Sequence, residues 1–229
     1  MENASLPRRA VRRLVTTLTF VAALLFLPAG SLRFWPGWVY LALMVAFWVF
    51  SFTNLMKHDP QLLERRLQKK ETQPEQRLFQ RLWSVILVVG MMLPGFDYRF
   101  GWSSASFHAV PVWLIVVAQA AAVAGNWMVF RVMKANSFAA SVIRVEAEQR
   151  VISSGPYAIV RHPMYSGMLV MMLATPLALG SYVALPVFAL MIPVLAFRLT
   201  YEERVLRREL AGYTEYCERT RFRIVPFVW

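Results

Sequence analysis

Apolar and polar residues alternate along this chain in long blocks. Apolar runs cover residues 14–28, 38–56, 82–94, 110–132, 164–179 and 182–199. Runs of this length predict membrane-crossing helices. The first is marginal in length and follows Arg8, Arg9, Arg12 and Arg13, so it mimics a secretory signal peptide. Pro28-Ala29-Gly30-Ser31 makes a poor cleavage site, and a retained first span is expected. The third run is expected to continue a few residues past Pro94. The last two meet at Gly180-Ser181, which leaves room only for a tight helical hairpin that Pro176, Pro186 and Pro193 can kink.

The polar blocks predict what joins the spans. Phe34-Trp35-Pro36-Gly37-Trp38 reads as an interfacial aromatic belt and turn. Residues 57–81 carry both charges, with a short surface helix suggested by Leu62, Leu63 and Leu67 between Pro60 and Pro74. Residues 96–106 read as a polar-aromatic loop, and 138–145 as extended in part. Residues 198–221 predict an amphipathic tail helix with Val205, Leu206, Leu210 and Tyr213 on one face. Pro226-Phe227-Val228-Trp229 reads as an interface anchor. The expected fold is an all-α integral membrane protein of about six transmembrane helices, with a C-terminal helical hairpin and an amphipathic cytosolic tail helix. Residues 1–134 would hold the first four spans, and residues 135–229 the loop, the hairpin and the tail.

Composition agrees: 58% of residues are hydrophobic and 17% charged, against about 25% charged in soluble domains. The net charge of +12 would suggest nucleic acid in a soluble protein. Its distribution excludes that reading. Four basic residues precede the first span, seven lie in 57–81, five in 131–161 and seven in 198–223; only Arg33 and Arg99 fall on the other side. Such asymmetry places both termini in the cytoplasm, with a contribution from anionic headgroups. The one cysteine, Cys217, allows no intramolecular disulfide and reads as a bystander thiol or a lipidation site. His58, His108 and His162 have no metal-ligand spacing. No Gly-x-Gly-x-x-Gly follows a strand, so any nucleoside must bind among helices.

The candidate chemistry centres on 153–167, Ser-Ser-Gly-Pro-Tyr-Ala-Ile-Val-Arg-His-Pro-Met-Tyr-Ser-Gly. Pro163 suits the first position of a helix, which puts Arg161 and His162 just outside its N-terminus, where an anion is favoured. Tyr157 and Tyr165 bracket them. The stretch is either an interfacial loop meeting headgroups or one wall of a pocket for a charged, aromatic small molecule. Arg198 and Glu202 are four apart and share a helix face, as a juxtamembrane ion pair or as a second wall.

Gly-Pro-Tyr, then Arg-His-Pro-Met-Tyr-Ser-Gly, a hairpin, Glu202-Glu203 and Tyr213 with Tyr216 together resemble the isoprenylcysteine carboxyl methyltransferase family, related to the phospholipid N-methyltransferases. The resemblance covers roughly residues 135–226. It implies an S-adenosylmethionine pocket lined by Gln149, Arg150, Val151, Ile152, Tyr157, Arg161, His162, Pro163, Met164 and Tyr165, with Arg144 further upstream. Many relatives carry histidine where Gln149 stands. The resemblance implies that Glu202 holds the cofactor, that Glu203 shares that part, and that Arg198 grips a substrate carboxylate. Arg198, Glu202 and Glu203 are therefore the expected catalytic residues, and the partners are membrane lipids and a lipophilic or prenylated acceptor.

A carboxylate attacking a sulfonium methyl needs alignment and desolvation but no base. An amine acceptor would need one, with Glu203 or His162 first in line. The other readings are a phospholipid or amine N-methyltransferase, an NADPH-dependent membrane reductase of the related sterol reductase type, and a non-catalytic lipid-binding protein. The reductase would use Arg144, Arg150 or Arg161 for the 2′-phosphate.

Overall fold

The computed structural model describes residues 5–67, 74–106, 108–136 and 150–229. Their helices are α1 (Ser5–Ala29), α2 (Trp35–His58), α3 (Pro60–Leu67), α4 (Pro74–Phe100), α5 (Trp102–Ser106), α6 (Val112–Ala135), α7 (Pro163–Ala178), α8 (Leu185–Ala189), α9 (Met191–Glu209) and α10 (Tyr213–Arg219). A 3-10 turn at Gly155–Ala158 precedes α7. No strand occurs among the described residues. The extended stretch expected at 138–145 lies outside them, as do Arg144 and Gln149.

Five segments are long and apolar enough to cross a membrane: Pro7–Ala29, Trp35–His58, Arg77–Phe100, Val112–Ala135 and Leu185–Glu209. The fifth expected span, α7, has 16 residues, about 24 Å at 1.5 Å per residue, short of the roughly 30 Å hydrocarbon core. Gly180, at φ 73°, turns the chain immediately after it. The step between α8 and α9 falls at Leu190. Pro193 has no N–H to give the carbonyl of Ala189, so the helix is interrupted there. The five long segments keep only 17–33% of their most apolar windows inside the bundle. Most of their surface is left to lipid, and the chain is an all-α integral membrane protein.

Small residues set the closest helix contacts. On α6, Ala118, Ala122 and Gly125 are buried, while Ala120 and Ala124 face outward. A Cβ on Gly125 would lie 2.6 Å from the Gly167 carbonyl, and one on Gly167 would lie 2.8 Å from the Gly125 carbonyl. α6 and α7 therefore cross backbone to backbone. Gly95 does the same for α1 and α4, where a Cβ would meet the Leu25 carbonyl at 2.5 Å. These crossings fix where α7 begins relative to α6.

Two expectations are corrected. Residues 96–106 are helical rather than a loop: α4 runs through Pro94 to Phe100, and α5 follows. Asp97 is buried there. It accepts hydrogen bonds from the Ser103 N–H (2.7 Å), the Ser103 hydroxyl (2.5 Å) and the Ser181 hydroxyl (2.5 Å). This ties α4 to the turn between α7 and α8. The tail is not one helix over 198–221. Its first half continues α9 to Glu209, Gly212 adopts φ 81°, and α10 starts afresh. α3 forms as expected, with Leu62 and Leu63 packed against Leu55, Phe130 and Met133.

Candidate functional site

The N-terminus of α7 meets the C-terminal half of α9 at one end of the bundle. Pro163 opens α7, as its fixed φ and absent N–H favour. His162 stands at the N-cap, and its carbonyl accepts from the N–H groups of Tyr165 (2.9 Å) and Ser166 (3.2 Å). The preceding turn is held by a segment that returns after α10. The Arg161 N–H donates to the Phe222 carbonyl (2.9 Å), and the His162 N–H to the Arg223 carbonyl (2.8 Å). The Ser166 hydroxyl donates to the Ile224 carbonyl at 2.6 Å.

The anion expected beside Arg161 and His162 is supplied by the chain itself. Glu203, only 4% exposed, places Oε1 2.7 Å from Arg161 Nε and 3.3 Å from His162 Nε2. Its Oε2 lies 3.2 Å from Arg223 Nε. The Arg161 contact is a close charge pair, out of line for a hydrogen bond from that Nε. Both carboxylate oxygens are thus taken up by contacts within the chain.

Glu202, one residue earlier, turns elsewhere and is half-buried. Its Oε2 accepts from the Tyr165 hydroxyl. That hydroxyl also accepts from Arg198 Nε at 2.9 Å. The buried Arg198 guanidinium lies over the Phe79 ring, 4.6 Å from its centroid. Tyr165 thus joins the expected arginine to the expected glutamate, and its ring stacks on His162 (5.6 Å, 12°).

Beyond His162 runs a line of tyrosines. The Tyr213 oxygen is 3.5 Å from His162 Nε2, and Tyr213 and Tyr216 are neighbours at 5.8 Å. The Tyr216 hydroxyl donates to the Tyr157 carbonyl (2.7 Å), and the Tyr157 hydroxyl accepts from Asn136 (3.0 Å). Val151, Tyr157 and Leu206 pack against Leu210, Tyr213, Tyr216 and Cys217. Burial pushes the Tyr213 and Tyr216 phenols well above their ordinary range, so both remain neutral hydrogen-bonding groups.

The structure brings together Val151, Tyr157, Arg161, His162, Tyr165, Arg198, Glu202 and Glu203. It does not bring Met164 with them. That side chain points to another face of α7, against Leu55, Phe130 and Met133. Pro163 is buried, Ile152 half-buried and Arg150 exposed. Arg223 and the backbone of 222–224 escaped the sequence reading, because their partners lie far away in the chain. Tyr216 entered it only within the resemblance, and Tyr213 there and on the apolar face of the tail helix.

Residues 113–211, from α6 past the end of α9, match the sequence model of the phospholipid methyltransferase family. Curated proteins also match part of the chain. Protein-S-isoprenylcysteine O-methyltransferase B of Arabidopsis thaliana is 35% identical over 88 residues, 38% of this chain and 44% of that protein. Delta(14)-sterol reductase TM7SF2 of Mus musculus is 34% identical over 84 residues, 35% of this chain and 20% of that protein. The chain thus spans less than half the length of each of these relatives. The resemblance carried by Arg161–Tyr165 and the paired glutamates is supported by these matches, and the region that builds the site is similar to the phospholipid methyltransferase family.

Proposed function

We propose that the chain is an integral membrane methyltransferase using S-adenosylmethionine. Its acceptor would be lipophilic, and the favoured reaction is carboxyl O-methylation of an isoprenylcysteine-like molecule. The observation that carries this reading is the Arg198–Tyr165–Glu202 chain beside the His162–Tyr213 line. It sets an arginine for an anion next to a carboxylate for a cation, under neutral aromatic side chains.

The residues present fit the cofactor. Glu202 is half-exposed and can meet an ammonium group, while Tyr157, Tyr213 and Val151 offer flat and apolar surface for a nucleobase. When bound, S-adenosylmethionine would supply an electrophilic methyl on a sulfonium. Arg198, steadied by Tyr165 and the Phe79 ring, would orient the acceptor carboxylate without discharging it. Tyr213, Tyr216 and Leu206 would keep water from it. Glu203 is engaged by Arg161 and Arg223, which suits a reaction that needs no base and argues against Glu203 as one. The cytoplasmic side of the membrane is the side assigned to this site, from the basic residues gathered at that end.

The similarity to Delta(14)-sterol reductase TM7SF2 favours a second reading, an NADPH-dependent reductase. Of the arginines considered for a 2′-phosphate, Arg161 is buried against Glu203 and badly placed for one. Tritiated methyl transfer from S-adenosylmethionine, into a farnesylcysteine analogue and into a total lipid extract, tests the proposal. A base-labile product on the analogue supports it. A base-stable product only in the lipid extract moves the reaction to amine methylation, and no transfer with NADPH consumption replaces it.

A further inference from the structure

Residues 220–229 do more than end the described chain. Their first half lies along the Arg161–His162 turn, with the Phe222 and Arg223 carbonyls accepting the two N–H groups just before α7. Such donors precede a helix without partners of their own. Ile224 is buried with Tyr165, Leu195 and Leu199. Leu199 lies about 15 Å below the end of α9, ten residues at 1.5 Å each. The segment therefore dips beside the apolar start of α7 instead of lying above it.

Its second half turns outward. Phe227 is 89% exposed and Val228 78% exposed. The turn is closed on itself: the Trp229 carbonyl accepts from the N–H groups of Arg223 (2.8 Å), Ile224 (3.1 Å) and Val225 (3.3 Å). The Arg223 guanidinium lies over the Trp229 ring at 5.0 Å. An apolar tip three residues on from the buried Ile224, in a tail where Arg219 and Arg221 are also exposed, suits the boundary between acyl chains and anionic headgroups.

We propose that residues 220–229 form a lipid-seated latch: Phe227 and Val228 insert into the headgroup–acyl boundary, and Phe222–Ile224 hold the Arg161–His162 turn against Glu203. Arg223 is the positioning residue that joins the two ends, through Glu203 on one side and Trp229 on the other. The occupant of the tip is the bilayer that surrounds the spans, with anionic headgroups preferred. The latch does not depend on which reaction the site performs.

The test uses the full chain in vesicles of phosphatidylcholine and phosphatidylglycerol. A Cys217→Ala, Val228→Cys chain carries an environment-sensitive fluorophore at the tip. Blue-shifted emission, quenched by spin-labelled lipid and protected from iodide, is expected. Water-like emission that iodide quenches as freely as the free dye overturns the proposal. The unlabelled Phe227→Asp, Val228→Asp double variant, altered only at exposed positions, then reports on the turn. Amide exchange across 156–166 should speed up at least tenfold with the rest of the chain unchanged; unchanged exchange there also overturns it.

Discussion

Arg161 Nε lies 2.7 Å from Glu203 Oε1 with both side chains buried, and this pair pins the start of α7 to α9. Such pairs add little when whole, but removing one partner strands the other charge at a cost of about 3–5 kcal/mol. Glu203→Ala strands Arg161 and weakens Arg223. It should lower stability by about that amount in detergent melts. Glu202→Gln keeps an oxygen for the Tyr165 hydroxyl and exchanges a charged hydrogen bond for a neutral one, so it should cost only about 1 kcal/mol, while reducing ligand binding. Equal melts for the two variants would contradict the division between them.

The Tyr165 hydroxyl stands between Arg198 and Glu202. Tyr165→Phe keeps the ring against Leu195 and Leu199 and removes hydrogen bonds to two charged groups, worth about 1.5–3 kcal/mol each. Methyl transfer measured as kcat/KM should fall by roughly 10- to 100-fold, in a protein that still folds.

Gly125 and Gly167 approach too closely for any side chain. Gly167→Ala should cost about 1–3 kcal/mol through forced helix separation, read as a lower melting temperature. An alanine tolerated at both positions would mean that α6 and α7 do not cross there.

Tyr213 and Tyr216 are raised above the ordinary value of 10.0 by burial. The folded chain therefore holds these protons more tightly than the unfolded one. Their contribution is fully present below pH 10 and is lost as pH climbs from there towards the folded values. Melting temperature should be flat with respect to these groups up to about pH 9.5 and then fall. In Tyr213→Phe with Tyr216→Phe the fall should be shallower.

Much of this was legible in the sequence because it is local. Four of the apolar runs became unbroken long helices, a fifth became the interrupted α8–α9 segment, and Pro163 marked the start of α7 to the residue. The four-residue spacing of Arg198 and Glu202 put them on one face, where a third residue, Tyr165, connects them. What stayed hidden depends on long-range pairing. Nothing in Arg223 reveals that its carbonyl meets His162, and nothing in Asp97 reveals that it binds Ser181. Residues 96–106 read as a loop because Pro94-Gly95 and polar residues interrupt the apolar run. The helix continues because Gly95 lets α1 pack against it. The tail read as one helix because its apolar spacing persists across Gly212, whose positive φ breaks it.

Calorimetric titration of the folded chain with S-adenosylhomocysteine tests the central claim most directly. The account predicts saturable, stoichiometric heat that Glu202→Gln abolishes while costing only about 1 kcal/mol of stability. No heat from the wild-type chain, or heat that the Glu202 substitution leaves intact, would contradict it.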